Sequence, residues 1–268
     1  MICFKYIYLI YKVMKNILNK VPEITLIFWI LKIISTTVWE TAADYLSFTL
    51  GIWSMNTMYI VLWLLVIALW FQFGLKKYIP SIYRIVVILM SIAGTLITDN
   101  LVNIYGVNVL TTSVVFGVIL VILFGLRYHK EKTLSIKEIN TPTREIYYRL
   151  VVLFAFALGT SAWDYISENL WLWYMRSAIM YWWLVILSYI LYKVNKIGLV
   201  LSFWIVYILT RPFGASIWDL LIQPVGSLWI WGQWWLWISA PIINIIFSSF
   251  IVILLIYLSI IPKKLANS

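Results

Sequence analysis

The chain has 268 residues, of which 64% are hydrophobic and only 11% are charged, and its formal net charge is +10. Soluble globular chains average about 45–50% apolar and about 25% charged residues, so this composition indicates a membrane protein. The chain has one cysteine, Cys3, and one histidine, His129, which excludes an intrachain disulfide and a zinc or copper site built from Cys and His within one chain.

Membrane-spanning helices are predicted wherever about 20 consecutive residues are mostly apolar. Eight segments meet this condition, at residues 23–48, 53–75, 81–104, 107–127, 146–169, 172–192, 198–222 and 229–261. The expected fold class is therefore all-α integral membrane. The sizeable polar segment at residues 127–145 predicts a charged loop that divides the helices into two groups of four.

Lys and Arg are distributed unevenly between the predicted loops. Seventeen of the 20 basic residues lie in or beside segments that would face one side of the membrane, whereas the opposite loops hold only Arg176. Basic residues are enriched in cytoplasmic loops, so both termini are predicted to be cytoplasmic. The remaining two basic residues, Lys32 and Arg211, fall inside predicted spans.

The odd-numbered segments each carry an acid in a similar local sequence, at Glu40, Asp99, Asp164 and Asp219. Five positions earlier stand the small residues Ser35, Gly94, Gly159 and Gly214, and four positions earlier stand Thr36, Thr95, Thr160 and Ala215. Four positions later stand Asp44, Asn103, Glu168 and Gln223. The recurrence predicts four copies of a two-helix unit.

The predicted organisation follows from these copies. Repeats 1 to 4 are expected at residues 23–80, 81–128, 146–197 and 198–262. The remaining parts are a cytoplasmic or interfacial segment at 1–22, a charged cytoplasmic loop at 129–145 and a cytoplasmic tail at 263–268. Since every repeat has two spans, all four share one orientation, and eight helices are expected as parallel repeats around a polar interior.

Residues four apart lie on one face of a helix, so each odd helix is expected to carry a stripe of hydroxyl, carboxylate, and then carboxylate or amide. A small residue five positions before the acid lets a neighbouring helix approach closely. Four such stripes can converge on one axis.

The predicted site contains six acids, Glu40, Asp44, Asp99, Asp164, Glu168 and Asp219. Its supporting polar residues are Thr36, Thr95, Thr160, Asn103 and Gln223, and its charge partners are Lys32 and Arg211. Six neighbouring carboxylates cannot all be ionised without cations or protons. Oxygen ligands suit hard cations such as Mn²⁺ or Mg²⁺, for which the six acids are the candidate metal ligands, and intramembrane acids also relay protons.

These features predict a membrane transporter or channel for a hard cation or protons, with a divalent cation as substrate and no other cofactor. The alternative is a structural or regulatory membrane protein that transports nothing, in which the acids pair with Lys32, Arg211 and Arg176 and organise helix packing. The sequence has no phosphate loop, Gly-rich nucleotide fingerprint or nucleophile elbow, so no enzymatic activity is expected. The expected partners are the lipid bilayer and a small cation or proton, without nucleic acid.

Four segments carry a family resemblance: "KVPEITLIFWILKIISTTVWETAADYL", "GTLITDNLV", "FALGTSAWDYI" and "ILTRPFGASIWDLL". They resemble the repeats of the uncharacterised bacterial membrane-anchored proteins built from four tandem two-helix units. The resemblance covers residues 20–262 and implies a bacterial inner-membrane protein with eight spans, but it implies no biochemical activity. Small residues are usual before the acid in that family, whereas Trp39, Trp163 and Trp218 stand here and narrow the space beside the carboxylates.

Overall fold

The computed structural model describes residues 26–44, 54–75, 79–136, 139, 141–170, 172–222, 242 and 245–254, and within these ranges it contains helices and no β-strand. Seven long helices are α1 (Leu26–Asp44), α2 (Ser54–Gly74), α3 (Pro80–Asp99), α4 (Val109–Glu131), α5 (Pro142–Asp164), α6 (Trp173–Lys193) and α7 (Leu199–Ile222). A short helix, α8, covers Ile245–Leu254.

Six of these helices, α2 to α7, are long and apolar enough to cross a membrane. This agrees with the predicted class of all-helical, multi-pass membrane proteins. Helices α1 and α8 lie within the predicted spans 23–48 and 229–261, but apart from Ile242 the remainder of both spans lies outside the described residues. Helix α4 continues to Glu131 and α5 begins at Pro142, so the central connection is shorter than the predicted loop.

Four helices, α1, α3, α5 and α7, form the inner layer of the fold. Helix α1 packs against α3 and α7, and α5 packs against the same two helices, so the four close a ring. Gly94 makes one of these contacts possible, because a Cβ at this position would lie 2.8 Å from the Cβ of Phe156. The small residue five positions before the acid therefore allows the close approach that its position predicts.

The neighbouring inner helices α5 and α7 run in the same direction. Between α5 and α7, the Tyr148 ring lies 6.0 Å from the Trp204 ring, and farther along both helices the Phe156 ring lies 6.3 Å from the Tyr207 ring. Trp163 then contacts Asp219 near the ends of the two helices. Because the contacts follow the same order along both helices, the two helices are parallel.

The outer layer consists of α2, α4 and α6, each of which packs against the inner helix that follows it in the chain, α3, α5 and α7 respectively. In the most apolar stretch of α3, α5 and α7, 56% of the residues are buried, compared with 17–22% for the outer helices. Large apolar side chains on the outer layer, such as Trp70 and Val121, are both 72% exposed. A bilayer would cover such a surface.

Both α3 and α5 end in a π-helical turn that begins immediately after the repeat acid, at Asn100–Ile104 and Tyr165–Asn169. The Tyr105 amide donates to the Asn100 carbonyl at 3.1 Å, and the Leu170 amide donates to the Tyr165 carbonyl at 3.0 Å. The two turns are separated by the same 65 residues that separate Asp99 from Asp164. The same local geometry therefore recurs in the second and third predicted repeats, and π-turns of this kind occur frequently at functional sites.

Part of the segment between α4 and α5 packs against the inner ring at the end where α5 begins. Ile136 and Ile139 are buried in the apolar core. The Trp204 indole donates to the Leu134 carbonyl at 3.1 Å, and Arg127 donates to the Ser135 carbonyl at 2.8 Å. This segment is packed, whereas its composition predicts a charged loop, because its two isoleucines and its backbone carbonyls find partners on α4 and α7.

Candidate functional site

Arg211 of α7 lies in the middle of the inner ring with only 1% of its surface exposed. Its guanidinium donates to the Thr36 carbonyl of α1 at 3.2 Å, to the Thr95 hydroxyl of α3, and to the Thr160 hydroxyl of α5 at 3.2 Å. The three threonines stand four positions before Glu40, Asp99 and Asp164. One side chain of α7 thus contacts the other three inner helices at equivalent sequence positions.

Gly159 makes room for Arg211. A Cβ at position 159 would lie 2.5 Å from Cγ and 2.7 Å from Cβ of Arg211, which is closer than real Cβ contacts allow. Pro212 removes one backbone donor from α7 at the same level, and it lies inside that helix. Glycine is therefore required sterically where α5 and α7 meet.

Lys32 of α1 lies near this centre and is 7% exposed. Its ammonium donates to the Tyr207 carbonyl at 2.8 Å and to the Thr210 hydroxyl at 2.5 Å, and it lies 3.8 Å from the centre of the Tyr207 ring. Across the described part of the chain, the ion pairs are Arg144 with Glu131 and Arg149 with Glu145, and neither involves Lys32. Carbonyl, hydroxyl and aromatic groups therefore solvate this ammonium.

Three of the six predicted acids have described side chains, Asp99, Asp164 and Asp219, and all three are partly buried. Asp219 of α7 accepts a hydrogen bond from the Trp163 indole of α5 at 3.1 Å. Asp164 interacts electrostatically with Tyr181 of α6. Each acid lies one helical turn beyond the threonine position, or Ala215 in α7, toward the end at which the inner helices terminate.

The side chains of the other three acids, Glu40, Asp44 and Glu168, lie outside the described part of the structure, as does Gln223. Asn103, a predicted supporting residue, is exposed in the π-turn after Asp99. Arg176, a predicted charge partner in the structural alternative, is exposed on α6. Within the described residues no group of three or more His, Cys, Asp or Glu side chains could hold a metal ion.

A second polar cluster, which sequence reasoning missed, lies at the end where α5 begins. Glu145 is fully buried and accepts a hydrogen bond from the Gln72 amide of α2 at 2.8 Å. Its Oε1 atom lies 3.8 Å from an Nη atom of Arg149, which is 2% exposed. The distribution of Lys and Arg assigns Arg149 to the region flanking the central loop, but its position on α5 directs its side chain into the inner ring.

Three tyrosines extend this cluster along the ring. The Tyr83 hydroxyl of α3 lies 2.8 Å from the Tyr148 hydroxyl of α5. The Trp204 ring of α7 lies 6.0 Å from the Tyr148 ring and 5.6 Å from the Tyr207 ring, so Tyr207 lies next along the same cluster. The Arg149 guanidinium lies 4.8 Å from the Tyr83 ring and 5.3 Å from the Tyr148 ring. Tyr83 and Tyr148 are 65 residues apart, as are Asp99 and Asp164, so extending the repeat alignment upstream of the acids would have found them.

Comparison with known families gives one match. Residues 82–133 match the family described as Repeat of Unknown Function (DUF347). The matched stretch contains most of α3, all of α4 and the residues between them, which form the second predicted repeat. No curated protein and no solved structure matches the chain. The match therefore supports an uncharacterised repeat-containing family.

Proposed function

We propose that the chain is a bacterial inner-membrane protein of four parallel two-helix repeats, with eight spans and cytoplasmic termini, which transports protons or a hard cation through its inner ring. The observation that carries the proposal is the set of hydrogen bonds that Arg211 donates to Thr36, Thr95 and Thr160. Equivalent positions of three repeats meet at one guanidinium. The acids of these repeats come one helical turn later in the sequence, so we expect them close to the same axis.

Protons suit this interior better than a bare divalent cation. Lys32 and Arg211 lie in the path, and two unit charges of the same sign repel by about 4 kcal/mol at 4 Å and an effective dielectric constant of 20. A dication meets twice the repulsion that a proton meets. A dication also needs room in the ring centre, which the side chains of Arg211 and the threonines occupy. A hard cation that binds only at the acids avoids both costs.

The structural alternative has support of its own. Hydrogen bonds to Thr95, Thr160 and Asp219 satisfy groups that would otherwise be costly to bury, and they tie the inner helices together. In this alternative the acids stabilise the ring and bind nothing from solution.

Flux into proteoliposomes separates the two functions. We expect the wild-type protein to move protons or Mn²⁺ down an imposed gradient, and Glu40→Gln, Asp164→Asn and Asp219→Asn to reduce the flux at least tenfold without loss of folded protein. Repeats 1 and 3 should be more sensitive than repeats 2 and 4, because Asp44 and Glu168 give them a second acid. Glu131→Gln is the control, since Glu131 pairs with Arg144 outside the inner ring.

Calorimetric titration with Mn²⁺, Mg²⁺ and Ca²⁺, run with thermal melts, completes the test. A wild-type protein that shows no ion binding, proton uptake or flux would establish the structural alternative.

A further inference from the structure

The polar cluster of Gln72, Glu145 and Arg149, together with Tyr83, Tyr148 and Tyr207, has no part in the repeat of acids. It lies at the opposite end of the inner ring, where α5 begins, and its members come from α2, α3, α5 and α7. We propose that this cluster is a second, hydrated proton-binding site, with Glu145 as the proton acceptor and the tyrosine hydroxyls as the connection toward the ring centre.

The first argument is the state of Arg149. Its Nε, Nη1 and Nη2 atoms are buried and have no hydrogen-bond partner among the described residues. A guanidinium has N–H donors and no acceptor, so Arg149 needs acceptor atoms at these positions. Unsatisfied buried donors of this kind are normally met by water. The nearest carboxylate oxygen, on Glu145, is 3.8 Å away, which is beyond hydrogen-bond distance and leaves the donors to other partners.

A matching acceptor lies across the cluster. The Gln72 amide nitrogen donates to Glu145, while the Gln72 carbonyl oxygen is buried without a hydrogen-bond partner among the described residues. Donors on Arg149 and an acceptor on Gln72 therefore flank the same carboxylate. A water molecule that bonds to both groups would also contact Glu145 and deliver a proton to it.

The tyrosines supply the connection. A hydroxyl group both accepts and donates a hydrogen bond, so it can take a proton on one lone pair while it releases its own proton to the next oxygen. Each such transfer forms one O–H bond and breaks one, with no change of oxidation state. The Tyr83 and Tyr148 hydroxyls are already 2.8 Å apart. Tyr207 lies farther toward the ring centre, next to Trp204, and its ring lies 3.8 Å from the Lys32 ammonium.

Titratable and charged groups face the cluster from every helix around it. They are Lys32 from α1, Tyr83 from α3, Arg127 from α4, Tyr148 and Arg149 from α5, and Tyr207 from α7, while the neutral Gln72 comes from α2. Glu145 is the described acid within this set. Its carboxylate is therefore the proton acceptor of the proposed site, and the tyrosines can pass a proton on without ionising.

Infrared difference spectroscopy of the full-length protein in liposomes tests the site directly. Spectra recorded across the pH range in which the protein stays folded should show a carboxylic acid C=O band that Glu145→Gln removes and Glu131→Gln retains. Tyr148→Phe should shift this band, because it breaks the hydroxyl chain, whereas Tyr128→Phe on the exposed face of α4 should leave it unchanged. If Glu145→Gln leaves every pH-dependent carboxyl band in place, the proposal is wrong.

The role in transport rests on the proposed function and needs a separate readout. If the wild-type protein moves protons, Glu145→Gln and Tyr148→Phe should slow the flux at least tenfold, while Tyr128→Phe keeps the wild-type rate. Unchanged flux in both variants would overturn this site as a part of the path and leave the proposed function intact. A wild-type protein without flux, but with the Glu145 band, would refute the proposed function and leave the binding site in place.

Discussion

The inner helices α3, α5 and α7 and the outer helices α2, α4 and α6 overlap in mean hydropathy, yet they meet different surroundings. The inner helices carry Thr95, Thr160 and Arg211, which are buried, and Arg211 donates hydrogen bonds to both threonine hydroxyls. The outer helices present side chains such as Trp63 and Trp70 to the outside, at 70% and 72% exposure. Bulk hydropathy therefore finds spanning segments, and the positions of their polar residues determine which segments form the ring.

The difference between the inner and the outer helices has a physical cause. In a bilayer the hydrophobic effect cannot drive two apolar helices together, because lipid tails are as apolar as leucine. Hydrogen bonds and close packing of small residues must do so. The inner helices have both, at Thr95 and at Gly94. At Gly117 and Gly125 of α4, by contrast, an added Cβ would meet no atom of another helix within 4 Å. Each outer helix therefore contributes one contact face and leaves the rest to lipid.

Replacement of Arg211 by Met should give the largest loss of stability. It removes the donors of three charge-assisted hydrogen bonds in the ring centre, each worth about 1.5–3 kcal/mol and not additive, so a loss of roughly 3–5 kcal/mol is expected. Thermal unfolding of the purified protein in lipid measures it. Arg176→Met on the exposed face of α6 is the matched control, and an equal loss in that variant would end the distinction between the two layers.

Gly159→Ala should come next. The added Cβ would overlap Arg211 in the inner ring, and overpacking of this kind costs about 1–3 kcal/mol. Gly117→Ala makes the same chemical change on α4, where the space is open. Thermal melts of the two variants should therefore differ clearly. The absence of a difference would show that α5 and α7 do not approach each other closely at Gly159.

Much of this arrangement could be predicted from sequence. The 3.6-residue period places Thr95 and Asp99 on one face, and the small residue before them predicts a close helix contact. The role of Arg211 as a hub was not predictable, because a position eight residues before an acid gives no sign of which neighbouring helices it reaches. Burial of Glu145 and Arg149 was missed for a related reason: their sequence context is a charged segment, and only tertiary packing turns them inward.

Trp163→Phe should have a smaller effect on the ring. It removes the indole donor to Asp219 but keeps an aromatic ring in the space between α5 and α7. Asp219 is only partly buried, so the expected loss is about 1 kcal/mol, the size typical of one intramolecular hydrogen bond. Trp183→Phe on the exposed face of α6 serves as the control in the same melting experiment. An effect of Trp183→Phe as large as that of Trp163→Phe would indicate that the contact with Asp219 adds nothing.

The smallest expected loss of stability is that of a valine substitution in the outer layer, compared with the same substitution in the inner layer. Val86 of α3 is fully buried, and Val121 of α4 is 72% exposed. Val86→Ala removes two methyl groups from a packed site and leaves a void that the protein fills only partly, so it should destabilise by about 1 kcal/mol. At position 121 a lipid tail can occupy the space that the alanine vacates, so Val121→Ala should stay within about 0.5 kcal/mol of wild type. Equal losses in the two variants would mean that α4 is covered by protein at Val121, and a change of mass in native electrophoresis of Val121→Trp would then identify a second copy of the chain as the cover.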